Sequence, residues 1–441
     1  MEMMRKLPWL MLTGCLALLV AGAATADDYH YANLLVGDRA SGMGGAYTAI
    51  SDDATGLYYN PAGIAYASVR SFSASVNAYY VNDKTYKSVI GGNGWSRSSS
   101  SLLPNYFGVV QPMGRFKAGF SYAVPDSSME DQSQTFGPLD LNAAIKPYNP
   151  GARISSYIIN YNNENNVYNV GPSIAAELTD NVSTGLTLYY YQRNKLEILN
   201  QIITTTNGGY ELTNTYSHAN EQGLRPILGF MWSPVNNLSI GLALSKVFIT
   251  SANADFQLSY VREGLYSSPS NSYEVNLPGD ANNPSFSSED KRKTPKQISL
   301  GIAWFPSASF LLTTDLNYYS AKSIGNILTF KGHEDSGIED VVNIAVGTEY
   351  YFSRNWAMRA GLYTDYANTP EVQSGGVNQN EHIDLYGGTA SISRFTRNTS
   401  VTLGGGLNYG SGKAQIMSDA QNIQTADSQG WMVFLSSSYS Y

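Results

Sequence analysis

Four histidines, His30, His218, His333 and His382, occur in a chain of 441 residues, and none belongs to an HExxH or His-x-His arrangement. His218, His333, Asp335 and His382 fall in segments that read as loops, with no spacing that pairs a nucleophile with a base or assembles metal ligands. Cys15 is the one cysteine and lies in the first apolar run. Past that run, disulfides, thiolate catalysis and cysteine–metal sites are excluded. Gly42-x-Gly44-Gly45 has the look of a nucleotide loop but lacks the strand–turn–helix context that such a loop needs. No enzyme activity, metal or cofactor is expected. What remains is isolated charge among apolar residues. Arg193 and Arg225 are of a type that receives a carboxylate head group through paired hydrogen bonds. Alternatively, both pair with carboxylates of the chain itself, such as Asp52 and Asp53. Glu349 and Arg359, counted outward from Arg354, fall opposite each other on adjacent strands and read as a structural ion pair.

These charges must be positioned by strands. After the first seventy residues the dominant signal is strict alternation in segments of about ten residues. Phe116, Ala118, Phe120, Tyr122 and Val124 alternate with Lys117, Gly119, Ser121 and Ala123; Ile298, Leu300, Ile302 and Trp304 alternate with Gln297, Ser299, Gly301 and Ala303. Fourteen candidate strands follow: 69–81, 104–111, 115–124, 166–178, 181–194, 219–232, 237–250, 293–305, 309–320, 338–351, 355–365, 398–409, 412–420 and 428–441. Short turns such as Pro112-Met113-Gly114 and Gly410-Ser411 alternate with long polar connections, among them 82–103, 125–165, 195–218 and 366–397. The stretch 204–210, with Asn207-Gly208-Gly209 at its centre, also reads as the tip of an extended hairpin.

Charged residues make up only 14% of the chain, against about 25% in soluble domains, and there are 33 tyrosines. Low charge, abundant aromatics, an even strand count and long loops on one side are the marks of a 14-stranded antiparallel transmembrane β-barrel, an all-β fold. Alternation then places Arg115, Lys117, Glu177, Arg193, Arg225, Asp315, Glu349 and Arg359 in the lumen, since a charge facing lipid costs several kcal/mol near the midplane. The net charge of −8 is diffuse and leaves no footprint for nucleic acid. The last segment puts Trp431, Val433, Leu435, Tyr439 and Tyr441 on one face, an aromatic-terminated strand of the kind read by the barrel-assembly machinery.

Ahead of the strands, Arg5 and Lys6, the apolar run 7–22 and Ala24-Thr25-Ala26 read as a secretory signal peptide over 1–26. Leu12-Thr13-Gly14-Cys15 has the look of a lipoprotein box, but the apolar run continues past it. The stretch 37–67 is glycine-rich and holds the rigid turn Asn60-Pro61-Ala62-Gly63 near its end. Gly42-Met43-Gly44-Gly45-Ala46, Asp52-Asp53-Ala54 and Tyr59-Asn60-Pro61-Ala62-Gly63 resemble the N-terminal hatch of the FadL family, outer-membrane barrels that import long-chain fatty acids and other hydrophobic compounds.

The resemblance implies a hatch over 27–67 lying inside a barrel over 68–441. It places Asn60, Pro61 and Ala62 near a kinked strand that opens the wall sideways to lipid, and gives Gly42, Gly44 and Gly45 a part in packing or rearranging the plug. The expected function is passive import of a hydrophobic small molecule across the outer membrane of a Gram-negative bacterium, with lateral release. Its surroundings would be outer-membrane lipid and lipopolysaccharide. The alternative is a non-transporting scaffold or anchor in protein secretion.

Overall fold

The computed structural model describes residues 29–67, 71–90, 92–140, 151–264, 274–277, 285–289, 291–321, 338–376, 379–416 and 423–440. The expected signal segment with Cys15, and His333, Asp335 and Tyr441, lie outside them. Fourteen strands close into one antiparallel barrel. They are β1 (Ser71–Ile90), β2 (Asn93–Met113), β3 (Phe116–Phe136), β4 (Arg153–Thr179), β5 (Val182–Thr205), β6 (Tyr210–Val235), β7 (Leu238–Lys246, resuming past Val247 as Phe248–Glu263), β8 (Lys296–Ser307), β9 (Phe310–Tyr319), β10 (Val341–Ser353), β11 (Trp356–Asp365), β12 (His382–Phe395), β13 (Thr399–Ala414) and β14 (Gln424–Ser440). Each pairs with its neighbours in sequence, and β14 returns to β1 with Ser71 opposite Ser440. Closure leaves neither the first nor the last strand with a free edge.

The count of fourteen agrees with the sequence reading, but two of its members differ. β12 lies within what reads as the loop 366–397. The proposed strands 398–409 and 412–420 are in the described residues one strand, β13, because Gly410 is not a turn residue but pairs with Leu385 on one side and Ser428 on the other. The supposed loops 82–103, 125–165 and 195–218 are largely strand as well. β4, β5 and β6 run for 27, 24 and 26 residues, well beyond the roughly 9–11 that cross a bilayer.

A change of face explains both differences. In the half near the short turns the apolar side chains point outward: Leu186, Leu228, Phe230, Leu300, Val346 and Leu403 are all exposed. Such a belt is a lipid-facing surface. In the projecting half the same strands turn apolar side chains inward, so Tyr86, Trp95, Phe136, Tyr161, Leu199, Ile383 and Leu385 pack into one core over the barrel mouth. In β12, Ile383 and Leu385 point in while Ile392 points out, so the apolar residues change faces part-way along the strand.

Candidate functional site

Residues 29–67 form a plug made of α1 (Asp38–Gly42), α2 (Gly56–Tyr59) and a 3-10 turn (Pro61–Tyr66). It is seated on a ring of inward-facing glycines. A Cβ added to Gly185, Gly229, Gly241, Gly301, Gly347 or Gly361 would fall 2.1–2.8 Å from a plug atom. These residues face one another as Gly185–Gly229, Gly241–Gly301 and Gly347–Gly361. Only a residue without a side chain lets two backbones approach so closely.

Charge fixes the plug on the β9–β13 side. Arg39 grips Glu349 with Nε and Nη2 at 2.8 and 2.9 Å, and its Nη1 reaches Asp52 at 2.5 Å. Arg359 Nε donates to the same Glu349 at 2.6 Å. Glu349 and Arg359 are register partners, and the pair thus also anchors the plug, which spacing alone did not indicate. The chain of contacts continues from Arg359 to Ser393, on to Thr402 at 2.6 Å, and from Thr402 to Asp38 of α1 at 3.0 Å. Asp315 accepts the Tyr47 and Thr48 amides at 2.9 and 2.8 Å. In the plug itself, burial pushes the carboxyl of Asp53 up to about 6.

Asn60 Nδ2 donates to Thr48 O at 2.8 Å and to Phe230 O at 3.1 Å, while its Oδ1 caps Ala62 N at 3.1 Å. Pro61 and Ala62 rest on Gly185 and Gly229. The turn therefore bonds barrel backbone on β6. Gly42 packs against Ser391, and Gly44 against the backbone of Gly361 and Leu362. Gly44 and Gly45 have φ of +65° and +83°, a region that disfavours side chains.

Of the charges assigned to the lumen, Lys117 donates to Ala67 O at 2.8 Å. Arg115 instead lies in the exposed turn after β2, stacked on Phe116, and Glu177 is exposed at the rim.

The sheet is irregular between β2 and β3. β2 and β3 pair from Met113–Phe116 up to Tyr106–Ala123, and then share no pair until Ser99–Glu130. Pro104 and Pro125 stand in the two unpaired stretches and lack the N–H a ladder needs. On its other side β3 bulges between Ala123 and Asp126, which bends the strand locally. The plug meets this interrupted stretch, the candidate breach: Leu34 N–H donates to Pro125 O at 3.1 Å, and Asn105 Nδ2 to Leu35 O at 2.8 Å.

Leu34 and Leu35 also line a cavity of about 80 Å³ between plug and barrel, with Tyr58, Tyr59, Arg225, Gln297 and Tyr319 among its walls. Two adjacent leucines thus touch both the cavity and the interrupted stretch. The sequence reading missed them. It also took Pro104 as the start of a strand and Pro125 as the start of a loop, although a proline inside an alternating run is the signal of a broken ladder.

The two candidate arginines part company. Arg225 lines the cavity, its guanidinium 5.0 Å from the Tyr58 ring centre and its Nη2 3.2 Å from Gln297 Oε1. Among the described residues no carboxylate forms an ion pair with it. Arg193 does not line the cavity. It is buried, donates to Asn165 Oδ1 at 2.9 Å and lies 4.0 Å from Glu221, its cross-strand partner, so the chain's own groups occupy it.

Solved structures with the same architecture include the P. putida toluene transporter TodX (TM-score 0.61, 11% identity, covering 93% of this chain and 99% of that one). A Pseudomonas aeruginosa FadL homologue superposes with a TM-score of 0.59 at 14% identity over 93% and 99% of the two chains. The chain has the FadL-type fold. The Ralstonia pickettii toluene transporter TbuX aligns over the same shares with a TM-score of 0.53 and 14% identity. No protein-family model and no curated protein sequence matches the chain. Within the FadL-type fold, then, the sites to explain are the plug, the cavity between it and the barrel, and the interrupted β2–β3 pairing beside it.

Proposed function

We propose that this FadL-type barrel imports hydrophobic small molecules passively across the outer membrane and releases them sideways through the β2–β3 breach. The observation that carries the reading is that Leu34 and Leu35 line the cavity and also hydrogen-bond to β2 and β3 where their pairing is interrupted. A lateral exit suits an apolar cargo, which passes to lipid without crossing water. The similar toluene transporters and FadL homologue support the class of cargo. Fatty acid and hydrocarbon both remain within that class, and Arg225 is the group in the cavity that can donate to a carboxylate or hydroxyl of the cargo. At about 80 Å³ the cavity is smaller than the roughly 150 Å³ that holds a benzene ring in an apolar core. Even a one-ring cargo therefore requires plug side chains to move, and Leu34 and Leu35 are placed to do so.

The test fills the cavity from the wall. Ala345 is buried and lines it. In cells expressing Ala345→Trp, uptake of labelled toluene and decanoate should fall to the level of cells without the barrel, while the barrel keeps its heat-modifiable gel mobility. Unchanged uptake would overturn the reading, and stoichiometric capture of a protein partner by a barrel that imports nothing would favour a scaffold.

A further inference from the structure

Around the breach, polar groups are buried without partners. Asn169 on β4 is 0% exposed and neither its Oδ1 nor its Nδ2 makes a hydrogen bond. It faces Ala123 of β3, the last residue paired before the bulge, and Ala123 in turn faces Tyr106 of β2. The residue next to Tyr106 is Asn105, also 0% exposed, whose Nδ2 is spent on Leu35 O and whose Oδ1 has no partner. Ser128 Oγ, in the unpaired stretch of β3, is buried and unpartnered as well. None of these groups has a hydrogen-bond partner in the protein, and a buried polar group left unpaired is a cost to the fold. Three of them on three consecutive strands, beside the broken ladder between β2 and β3, are not what a passage for bare hydrocarbon requires; leucine or valine would serve it without that penalty.

We infer that the breach is a hydrogen-bonding station, and that the preferred cargo is a compact apolar molecule bearing a neutral hydroxyl group, such as a phenol or a medium-chain alcohol. This rests on the import reading and narrows its cargo. Asn169 offers donors and an acceptor, Asn105 an acceptor and Ser128 a hydroxyl. A hydroxyl, which both donates and accepts, can pair with any one member of such a mixed set as it passes. A hydrocarbon satisfies none of it. A carboxylate, having only acceptors, meets the Asn105 oxygen unfavourably, with the Asp126 carboxylate on the same stretch of β3. The cavity upstream has the same character: Ser245, Gln297, Ser299, Asn317 and Asn343 line it beside Arg225.

Toluene and p-cresol differ by one hydroxyl and make the test. Initial uptake of each is measured in cells with the barrel, minus uptake in cells without it. The wild type should take up p-cresol about tenfold faster than toluene, the effect of one or two neutral hydrogen bonds. Asn169→Leu should bring the ratio near one by raising toluene uptake, and Ser128→Ala, a smaller change that serves if Asn169→Leu does not fold, should lower the ratio about threefold. Equal rates in the wild type, or an unchanged ratio in a folded variant, would overturn the hydroxyl preference alone, with water then filling the station. Uptake of neither compound would overturn the import reading and this inference with it.

Discussion

The plug is held differently on its two sides. Towards β10–β13, Glu349 lies between Arg39 and Arg359, and a chain of hydroxyls leads on to Asp38. Towards β2 and β3, the polar contacts of Leu34 and Leu35 with the wall are one backbone hydrogen bond to Pro125 and one from the Asn105 amide, beside their apolar packing. A buried charge network with several members is hard to break in part, because each broken contact strands a charge. Two neutral hydrogen bonds are worth only about 1 kcal/mol each. Opening therefore need not eject the plug. In the proposed opening the anchored side stays in place and the segment around Leu34 moves.

Breaking the anchored side should have the largest effect. Glu349→Ala leaves Arg39 and Arg359 facing each other without their shared carboxylate, and removing one partner of a buried pair costs about 3–5 kcal/mol. The plug should come loose, seen as new protease cleavage between Arg39 and Asp53 and as ion conductance in planar bilayers where the wild type is silent. Weakening the loosely held side should act on rate instead. Leu34→Ala thins the partition and should raise toluene uptake about two- to fivefold, equivalent to a barrier lowered by about 0.5–1 kcal/mol, with no gain in conductance.

The smallest effect concerns pH. Asp53, half-buried in the plug, has its carboxyl pushed up to about 6 from 3.8, first by desolvation. A raised carboxyl pKa means that the folded plug binds a proton more readily than the unfolded one, so its contribution is greatest at low pH and is lost as pH rises through about 6. Hydrogen exchange over 50–58 should therefore be slower at pH 5 than at pH 7.5 by more in the wild type than in Asp53→Asn, and the partial exposure of Asp53 keeps this difference modest.

Much of the barrel was legible because lipid imposes one rule on every crossing strand: Leu186, Leu300 and Leu403 must face out, and alternation follows. The rule lapses above the bilayer. There Ile383 and Leu385 face a protein core, the apolar residues of β12 change faces along the strand, and a strand reads as loop. Alternation also puts Arg225 on the inward face, where it lines the cavity. The cavity and breach were not legible, since Leu34 and Leu35 acquire their meaning only from Pro104 and Pro125, distant in sequence and brought beside them by the closed sheet. Arg193 shows the same limit, because its partners Asn165 and Glu221 come from the strands on either side.

Lateral release is tested by bridging the breach. Leu102 and Met129 are exposed on β2 and β3 at the unpaired stretch. With both changed to cysteine and joined by a short reducible thiol cross-linker, uptake of toluene should stop and return on reduction. Uptake that continues at the wild-type rate with the bridge in place would contradict exit through the wall.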